Sequence, residues 1–336
     1  MHKPYTRRTS PDGSQTIRRA VQFSFLALNL WIGVEFYLFI RQFEVPGAAF
    51  RERPPGVEGW LPIAGLLNLK AFLTSGEIPL IHPAAMVLIG AFLAMSLLLR
   101  RSFCGWVCPV GTFSEQLWKL GRQTFRRTWS LPRWLDLTLR PLKYLLLAFF
   151  GFAAVMMPAE AIDAFMRTPY GALADVKMLD FFRNLSIVSA IVLAILILGS
   201  VFIKNLWCRY LCPYGALTGI VALLSPLRIT RVPDKCIDCA KCAHACPSDL
   251  PVDKLIQIRS AECVGCLECV SSCPAEGALD LRAFARRRIS PLVMAAGVCA
   301  IFLIAAGLAQ ATGHWQSPIP AAFYAKWIPM IQSLSH

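Results

Sequence analysis

The sequence predicts an all-α integral membrane bundle of about five transmembrane helices, with a small α+β domain inserted before the last helix. The composition, at 56% hydrophobic and 16% charged residues with a mean hydropathy of +0.53, is far from that of a soluble domain. Apolar stretches of nearly 20 residues recur along the 336-residue chain. Eight of the thirteen cysteines fall within residues 236–273, before the last of these stretches.

This cysteine-rich segment contains two runs with the same spacing, C-x2-C-x2-C-x3-C-P. The spacing is typical of a bacterial-type 2[4Fe-4S] ferredoxin domain, in which the fourth cysteine of each run binds the other cluster. Structural zinc is the alternative, although it is usually bound by two C-x2-C pairs. The predicted ligands are Cys236, Cys239, Cys242 and Cys273 for cluster 1, and Cys263, Cys266, Cys269 and Cys246 for cluster 2.

The apolar stretches are long enough, or nearly so, to cross a bilayer, which takes about 20 residues. The first is too long and too aromatic for a cleaved signal peptide, so we expect it to remain as an anchor. The predicted spans are 18–40, 83–100, 141–158, 185–203 and 290–312. The predicted domains are a cytoplasmic N-terminal segment (1–17), a membrane domain (18–225), a cytoplasmic ferredoxin domain (226–285), the last transmembrane helix (286–312) and a periplasmic tail (313–336).

Basic residues predict the orientation, because loops rich in lysine and arginine stay in the cytoplasm. Residues 1–19 contain five bases, and residues 100–143 contain nine bases against two acids. We therefore expect the N-terminus and the cysteine motifs on the cytoplasmic side of a bacterial inner membrane, where thiols stay reduced. The net charge of +14 then reflects topology and lipid headgroups, and no nucleic-acid partner is expected, since residues 234–280 contain eight acids and four bases.

A second cysteine motif occurs twice, at Phe103–Gly111 and Trp207–Gly215, as aromatic-C-x-aromatic-aliphatic-C-P-x-G. Each copy follows a pair of spans, which indicates a duplicated unit. Two half-sites together could hold one shared third cluster, with glycine letting backbone amides approach the sulfides. A redox-active dithiol, a thiolate copper site and structural thiols are the alternatives. The candidate metal ligands are Cys104, Cys108, Cys208 and Cys212.

The combination of both motifs, over residues 20–280, resembles the membrane polyferredoxins of the NapH/MauN type and the membrane half of NosR. The resemblance implies electron transfer between the quinone pool or a cytoplasmic donor and a partner reductase or maturation system. NosR-like members also carry a periplasmic flavin domain, for which neither outer loop here is long enough, so no flavin is expected. Cupric reductases of the CcoG type share the cysteine layout but add a large periplasmic domain, and they resemble this chain less.

Three ionisable residues are candidates for a quinone or proton site. Glu35 lies within the first predicted span, where an ionisable group is a functional hypothesis, unless it lies at the outer interface. His82 and His314 fall at the outer ends of the second and fifth spans, where they could contact a quinone or simply be interfacial. No haem is expected, because the chain lacks C-x-x-C-H.

Residues 112–140 read as an amphipathic helix on the inner membrane surface, with bases that include Lys119 and Arg127 at helical spacing. It could serve as a docking platform for the acidic ferredoxin domain or only attach to the membrane.

The sequence thus predicts a membrane-bound iron–sulfur electron-transfer protein, with membrane lipid, a redox partner protein and quinone as the expected partners. No catalytic residue is predicted, since the P-loop, G-x-G-x-x-G and Ser-His-Asp patterns are missing from the sequence. Two alternatives stay open. One is a cupric reductase or metal-handling factor for oxidase assembly, and the other is a redox-sensing regulatory or assembly component.

Overall fold

The computed structural model describes residues 6–9, 12–126, 129, 131–284 and 286–334. Lys3, one of the N-terminal bases, and Arg127, in the predicted surface helix, lie outside these residues. The described chain is mostly helical. Its helices are α1 Ser14–Glu44, α2 Pro62–Ser75, α3 Pro83–Leu98, α4 Pro109–Phe125, α5 Arg133–Leu139, α6 Leu142–Met156, α7 Ala159–Arg167, α8 Pro169–Ala172, α9 Ala174–Arg183, α10 Ile187–Phe202, α11 Leu206–Tyr210, α12 Pro213–Val221, α13 Lys241–Ala245, α14 Glu268–Ser271, α15 Pro291–Ala311 and α16 Ala321–Trp327.

Three short strands form an antiparallel sheet in the order β1-β2-β3. Leu227 lies opposite Ala283 and Arg231 opposite Leu279, so β1 and β2 bracket the cysteine-rich segment. Shorter turns complete the chain. The strands are β1 Leu227–Arg231, β2 Leu279–Ala283 and β3 Arg287–Arg288; the 3-10 turns are Pro55–Trp60, Ala222–Leu224, Pro233–Lys235 and Ile328–Ser333; and a π-helical turn covers Phe103–Val107.

Within the described residues, three helices are long and apolar enough to cross a membrane: α1, the continuous stretch Arg133–Met156 and α15. They correspond to the first, third and fifth predicted spans, and they identify the chain as a membrane protein. The fourth predicted span corresponds to α10, which passes the same test only together with α9, from which it is bent by 85°. The second corresponds to α3, whose 16 residues extend about 24 Å, short of the roughly 30 Å hydrocarbon core. The full set of five spans stays a prediction.

The predicted surface helix is interrupted. Helix α4 ends at Phe125, where Arg126 adopts a left-handed conformation with φ of 54°, and α5 begins only at Arg133. One continuous helix over residues 112–140 was therefore wrong in extent. The reason is local, because a left-handed residue cannot continue a right-handed helix.

The chain divides into two compact units. The first, which we name the cysteine unit, comprises residues 1–26, 92–147 and 193–301 and contains the sheet and all twelve motif cysteines. The second, the helical unit, comprises residues 27–91, 148–192 and 302–336. It contains two apolar cores, one that includes Phe39 and Leu173 and another that includes Leu67 and Ile162.

We name the two copies of the second cysteine motif, Phe103–Gly111 and Trp207–Gly215, the membrane-face motifs. Within the cysteine unit, the cysteine-rich segment packs closely on the first membrane-face motif. Trp106 is fully buried, and its indole Nε1 donates a hydrogen bond of 3.0 Å to the carbonyl of Gly265. A Cβ atom at Gly105 would stand only 2.6 Å from the carbonyl oxygen of Val264. The glycine between Cys104 and Trp106 therefore permits the backbones to meet.

Buried salt bridges join the acids of the cysteine-rich segment to bases elsewhere in the cysteine unit. Each of these acids lies next to, or three residues beyond, a predicted cluster ligand. The base on α4 supports the docking role suggested for that helix, because opposite charges meet there. The pairs are Glu262 with Lys143 at 2.6 Å, Glu268 with Lys119 at 2.7 Å and with Arg18 at 2.9 Å, and Asp249 with Arg209 at 2.6 Å and with Lys204 at 3.0 Å.

We expect Gly105→Ala to loosen the contact between the first membrane-face motif and the cysteine-rich segment, since the added methyl group collides with a backbone carbonyl. Overpacking of this kind costs about 1–3 kcal/mol, which corresponds to roughly a 5- to 150-fold increase in hydrogen exchange of the amides at residues 262–268. Gly13→Ala is the control, because no atom lies within 4 Å of a Cβ there. Equal exchange in both variants would contradict the prediction.

Candidate iron–sulfur sites

The two ferredoxin runs adopt the same backbone path. The residues on either side of the second cysteine are left-handed in both runs: Asp238 and Ala240 in the first, Gly265 and Leu267 in the second. Reversals of this kind turn successive backbone amides toward one point and are common around iron–sulfur sites. In both runs the third cysteine is the second residue of a short helix: Cys242 in α13 and Cys269 in α14. Equal spacing in the sequence has thus produced two equivalent cradles.

The predicted ligands of cluster 2 line one cavity. Cys246, Cys263, Cys266 and Cys269 surround it, together with apolar residues such as Ile258. Burial first, and then the nearby charge of Cys263, raise the pKa of the Cys246 thiol to about 11. Burial also raises the pKa of Cys269, followed by the charges of Cys266 and Cys246. The fourth cysteine of the first run therefore lies among the first three of the second run.

The predicted ligands of cluster 1 also lie near one another, in a more exposed place. Burial raises the pKa of Cys242 to about 11, and Cys273 and Cys236 are among the neighbours that add to this shift. Burial raises the pKa of Cys273 as well, and Cys239 and Cys236 contribute in the same direction. Cys239 is exposed. The fourth cysteine of the second run thus lies with the first run.

Both sets fit an iron–sulfur cluster by the chemistry of their donors. Thiols that raise one another's pKa carry repelling charges once ionised, and iron supplies the positive charge that relieves this repulsion. Within the part of the chain that the structure describes, no three His, Cys, Asp or Glu side chains converge as ligands of a single metal ion. Thiolates around a cubane bind four different iron atoms and so stand farther apart than the ligands of one ion.

The membrane-face cysteines lie where helices begin. Cys108 and Cys212 directly precede α4 and α12, and each helix has proline at its first position. The amide of Gly215 donates a hydrogen bond of 3.2 Å to Cys212 Sγ. A Cβ at Gly111 would stand 2.4 Å from the carbonyl oxygen of Cys104. The helix starts offer partial positive charge to sulfur, and the motif glycines permit close approach of the backbone.

The structure brings the two membrane-face motifs together. Burial first, and then the charges of Cys104 and Cys212, from both motifs, raise the pKa of Cys108 to about 12. Burial likewise raises the pKa of Cys208, followed by the charges of Cys212, Cys108 and Cys104. These four thiols form a third set with the same donor chemistry as the two ferredoxin sets.

Arg101 is a residue that sequence reasoning missed. It is 2% exposed, and its Nε donates a hydrogen bond of 3.3 Å to Cys104 Sγ. The sequence carries one signal that could have found it: the first motif has arginine three residues before its first cysteine, where the second motif has Asn205. In the sequence, Arg101 counts only as one of the bases that predict orientation, so nothing there separates it from the other bases beside the predicted spans.

His82 lies in a buried ion network of the helical unit. Its Nδ1 is 3.1 Å from Glu58 and its Nε2 is 2.9 Å from the carbonyl of Gly171. Arg53 pairs with both Glu58 and Asp175, at 2.7 and 2.6 Å. Burial opposes the charged imidazole, but the hydrogen bond and charge of Glu58 outweigh it and raise the pKa of His82. His82 is thus held by ionic partners that its position in the sequence did not reveal.

A cavity of about 180 Å³ in the helical unit is lined by aromatic and polar residues that include Phe39, Arg51, Arg53 and Tyr324. Arg51 also pairs with Glu35 at 3.4 Å, which brings one candidate residue to the edge of this cavity. Tyr324 is 4% exposed, and its hydroxyl has no hydrogen-bond partner within the described residues.

His314 follows α15 and is not among the residues that line this cavity. Its backbone amide donates to the carbonyl of Ala309 at 2.8 Å. Its Nδ1 is buried and has no partner in the described ranges.

Known proteins share these motifs. A family model described as a 4Fe-4S binding domain matches residues 81–128 and 185–231, once over each membrane-face motif, and one described as a 4Fe-4S dicluster domain matches residues 228–274. The chain is 48% identical over 331 residues to the electron transport protein YccM of Escherichia coli (strain K12). The matched region covers 96% of this chain and 92% of YccM. No solved structure matches the chain.

More distant relatives are named as ferredoxin-type and regulatory proteins. The ferredoxin-type protein NapH of Haemophilus influenzae is 25% identical over 68% of this chain and 73% of its own length. The regulatory protein NosR of Pseudomonas aeruginosa is 34% identical over 49% of this chain, which matches only 23% of NosR.

The predictions of a ferredoxin with 4Fe-4S chemistry, of electron transport and of membrane location are confirmed by these matches and by the apolar helices. Iron–sulfur electron transfer is the role they support. The chain belongs to the NapH/NosR-type family of membrane polyferredoxins.

Proposed function

We propose that this protein relays single electrons at the bacterial inner membrane, between the quinone pool or a cytoplasmic donor and a partner reductase or maturation system. One observation carries the proposal: twelve cysteines lie in a single compact unit as three neighbouring sets of four. A [4Fe-4S] cluster bound by each set would accept and release one electron. The relative NapH, named a ferredoxin-type protein, supports a redox partner protein, because ferredoxins exchange electrons with other proteins.

In this proposal, each set of four cysteines binds one cluster. Cys236, Cys239, Cys242 and Cys273 hold cluster 1 where it reaches solvent, since Cys239 is exposed. Cys246, Cys263, Cys266 and Cys269 hold cluster 2 in the apolar cavity. Cys104, Cys108, Cys208 and Cys212 hold the third cluster, and the hydrogen bond from Trp106 to Gly265 keeps the first membrane-face motif against the loop that carries Cys263 and Cys266.

The same proposal includes five spans, formed by α1, α3, α6, α10 and α15, with the N-terminus and the ferredoxin domain in the cytoplasm. The alternation of basic and neutral loops supports this orientation. Side chains on α6 and α10 support contact with lipid, since Phe149 is 70% exposed and Ile187 80% exposed. No flavin or haem is part of the proposal.

Iron and acid-labile sulfide on anaerobic, detergent-purified protein test the number of clusters. We expect about twelve irons per chain, four per cubane, and about eight in the double variant Cys104→Ser/Cys208→Ser, which removes half of the third set. The remaining signals after dithionite reduction should be those of the ferredoxin clusters. Cys299→Ser is the control, since this cysteine lies within α15, away from the motifs.

About eight irons in the unaltered protein would overturn the third cluster. Copper-dependent reoxidation would then favour the cupric reductase alternative. Full iron with no electron flux to or from a quinol analogue would favour the redox-sensing alternative.

Single serine substitutions test the crossed ligand sets. We expect the EPR spectrum of Cys246→Ser to match that of Cys266→Ser, because both remove a ligand of cluster 2. It should differ from that of Cys242→Ser, which removes a ligand of cluster 1. If each run instead bound its own cluster, Cys246→Ser would match Cys242→Ser.

The cavity in the helical unit is our proposed contact site for a quinone headgroup. Its aromatic lining suits a planar ring, and the unpartnered hydroxyl of Tyr324 can donate a hydrogen bond to a carbonyl oxygen. Burial raises the pKa of Tyr324, so the hydroxyl keeps its proton at neutral pH. Arg51 of the lining pairs with Glu35. Arg53 of the lining shares the carboxylate of Glu58 with His82.

We expect Tyr324→Phe to raise the KM for a quinol analogue by about two- to tenfold, the value of one net hydrogen bond of about 0.5–1.5 kcal/mol. Reduction by dithionite should be unchanged, because that reagent bypasses the cavity. Tyr37→Phe, at a tyrosine that is 40% exposed on α1, is the control. An unchanged KM in Tyr324→Phe would remove this cavity from the proposal.

A further inference from the structure

We propose that Arg101 is a positioning residue that raises the reduction potential of the membrane-face site, acting through Cys104 and Cys208. The inference rests on the third cluster of the proposed function. It assigns a role to a side chain of this protein that no motif identifies.

Arg101 lies in the space between the two membrane-face motifs. Its Nε is 3.3 Å from Cys104 Sγ of the first motif. A Cβ at Gly215, in the second motif, would stand only 2.4 Å from its Nη2. Gly215 therefore leaves the room that the guanidinium occupies. Its Nη1 donates a hydrogen bond of 3.4 Å to the carbonyl of Ala261, which ties the arginine to the cysteine-rich segment as well.

The charge of Arg101 is available to the thiolates because its acidic neighbour is already paired. Glu262 lies 3.8 Å from Arg101 Nη1 but only 2.6 Å from Lys143 Nζ. Tyr144 also donates a hydrogen bond to Glu262, at 3.1 Å. Lys143 thus compensates most of the charge of Glu262, and the guanidinium keeps a net positive field at the sulfurs.

A buried positive charge beside cluster ligands favours the reduced state. Reduction adds one negative charge to the site, and a fixed cation nearby stabilises that charge strongly where the dielectric is low. The hydrogen bond to Cys104 sulfur acts in the same direction, because it withdraws charge from the ligand. Asn205, at the matching position of the second motif, brings no charge. Arg209, within that motif, is paired with Asp249 at 2.6 Å and with Asp136 at 2.7 Å, so the uncompensated positive charge at the site is that of Arg101.

EPR-monitored redox titration of the full-length, anaerobic protein tests the role, with iron and sulfide measured on every sample. Arg101→Gln should retain about twelve irons. It should lower the midpoint potential of one signal by at least about 59 mV, which is a tenfold change in the equilibrium constant of a one-electron reduction. Arg101→Lys keeps the charge without the fork of donors and should restore part of the shift.

Glu262→Gln should move the same signal in the opposite direction, because it removes a negative charge and frees Lys143. Arg259→Gln, which deletes an exposed base of the cysteine-rich segment, should leave all midpoints unchanged. If Arg101→Gln loses iron, the opposite shifts of Arg101→Lys and Glu262→Gln decide the question.

Full iron with unchanged midpoints in the Arg101 and Glu262 variants would overturn the role of Arg101 and leave the three clusters standing. About eight irons in the unaltered protein would overturn both, since there would be no third cluster for Arg101 to act on. The two failures are therefore distinct.

Discussion

Buried and half-buried charge pairs orient the cysteine-bearing loops of the cysteine unit. Glu262 and Glu268 directly precede predicted cluster ligands, and each is bound by bases from other parts of the unit, Lys143 at 2.6 Å and Arg18 at 2.9 Å. Pairs of this kind contribute little net stability, because desolvation offsets the attraction, but losing one partner is costly. Their main effect is to orient the loops that carry the cysteines. The segment between the first and last ligands is too short to form a sufficient core of its own, so it depends on these pairs and on bound iron.

The same charges set the electrostatics of the three cysteine sets. The acids beside cluster 2 are compensated by Lys143, Arg18 and Lys119, so their field at the sulfurs is weak. At the membrane-face set, the positive contributions stay: the amides at the starts of α4 and α12, and the guanidinium of Arg101. Three acids of the ferredoxin domain, Asp249, Glu262 and Glu268, are thus engaged by bases of the same unit.

The helical unit uses buried charge in a different way. Arg53, Glu58, Asp175 and His82 form a closed network in which every charge has a partner of opposite sign. Beside it, the hydroxyl of Tyr324 has no partner among the described residues and borders a cavity. The proposed quinone contact rests on this unpaired hydroxyl and on the aromatic lining of the cavity.

By itself, the sequence determined the features that depend on local spacing or on the length of apolar runs. The C-x2-C-x2-C-x3-C-P runs indicated ferredoxin chemistry because a cubane constrains its nearest ligands through a few intervening residues. Helices α1 and α15 were predicted closely because about 20 apolar residues suffice to mark a span. Helices α3 and α10 were harder to judge, since their 16 residues are ambiguous in length alone.

Only the tertiary structure decided which charges meet. Arg18 read as a base flanking the first span, but it is fully buried against Glu115 and Glu268. The sequence suggested the same for Arg101, but its side chain lies at the thiols of the membrane-face motifs. The sequence suggested an interfacial position for His82, but its side chain lies in an ion network. A flanking base and a buried partner look identical in sequence, because the energy of an ion pair depends on distance and burial. Only the folded chain fixes both, as in the contact of Arg18 with Glu268, which are 250 positions apart.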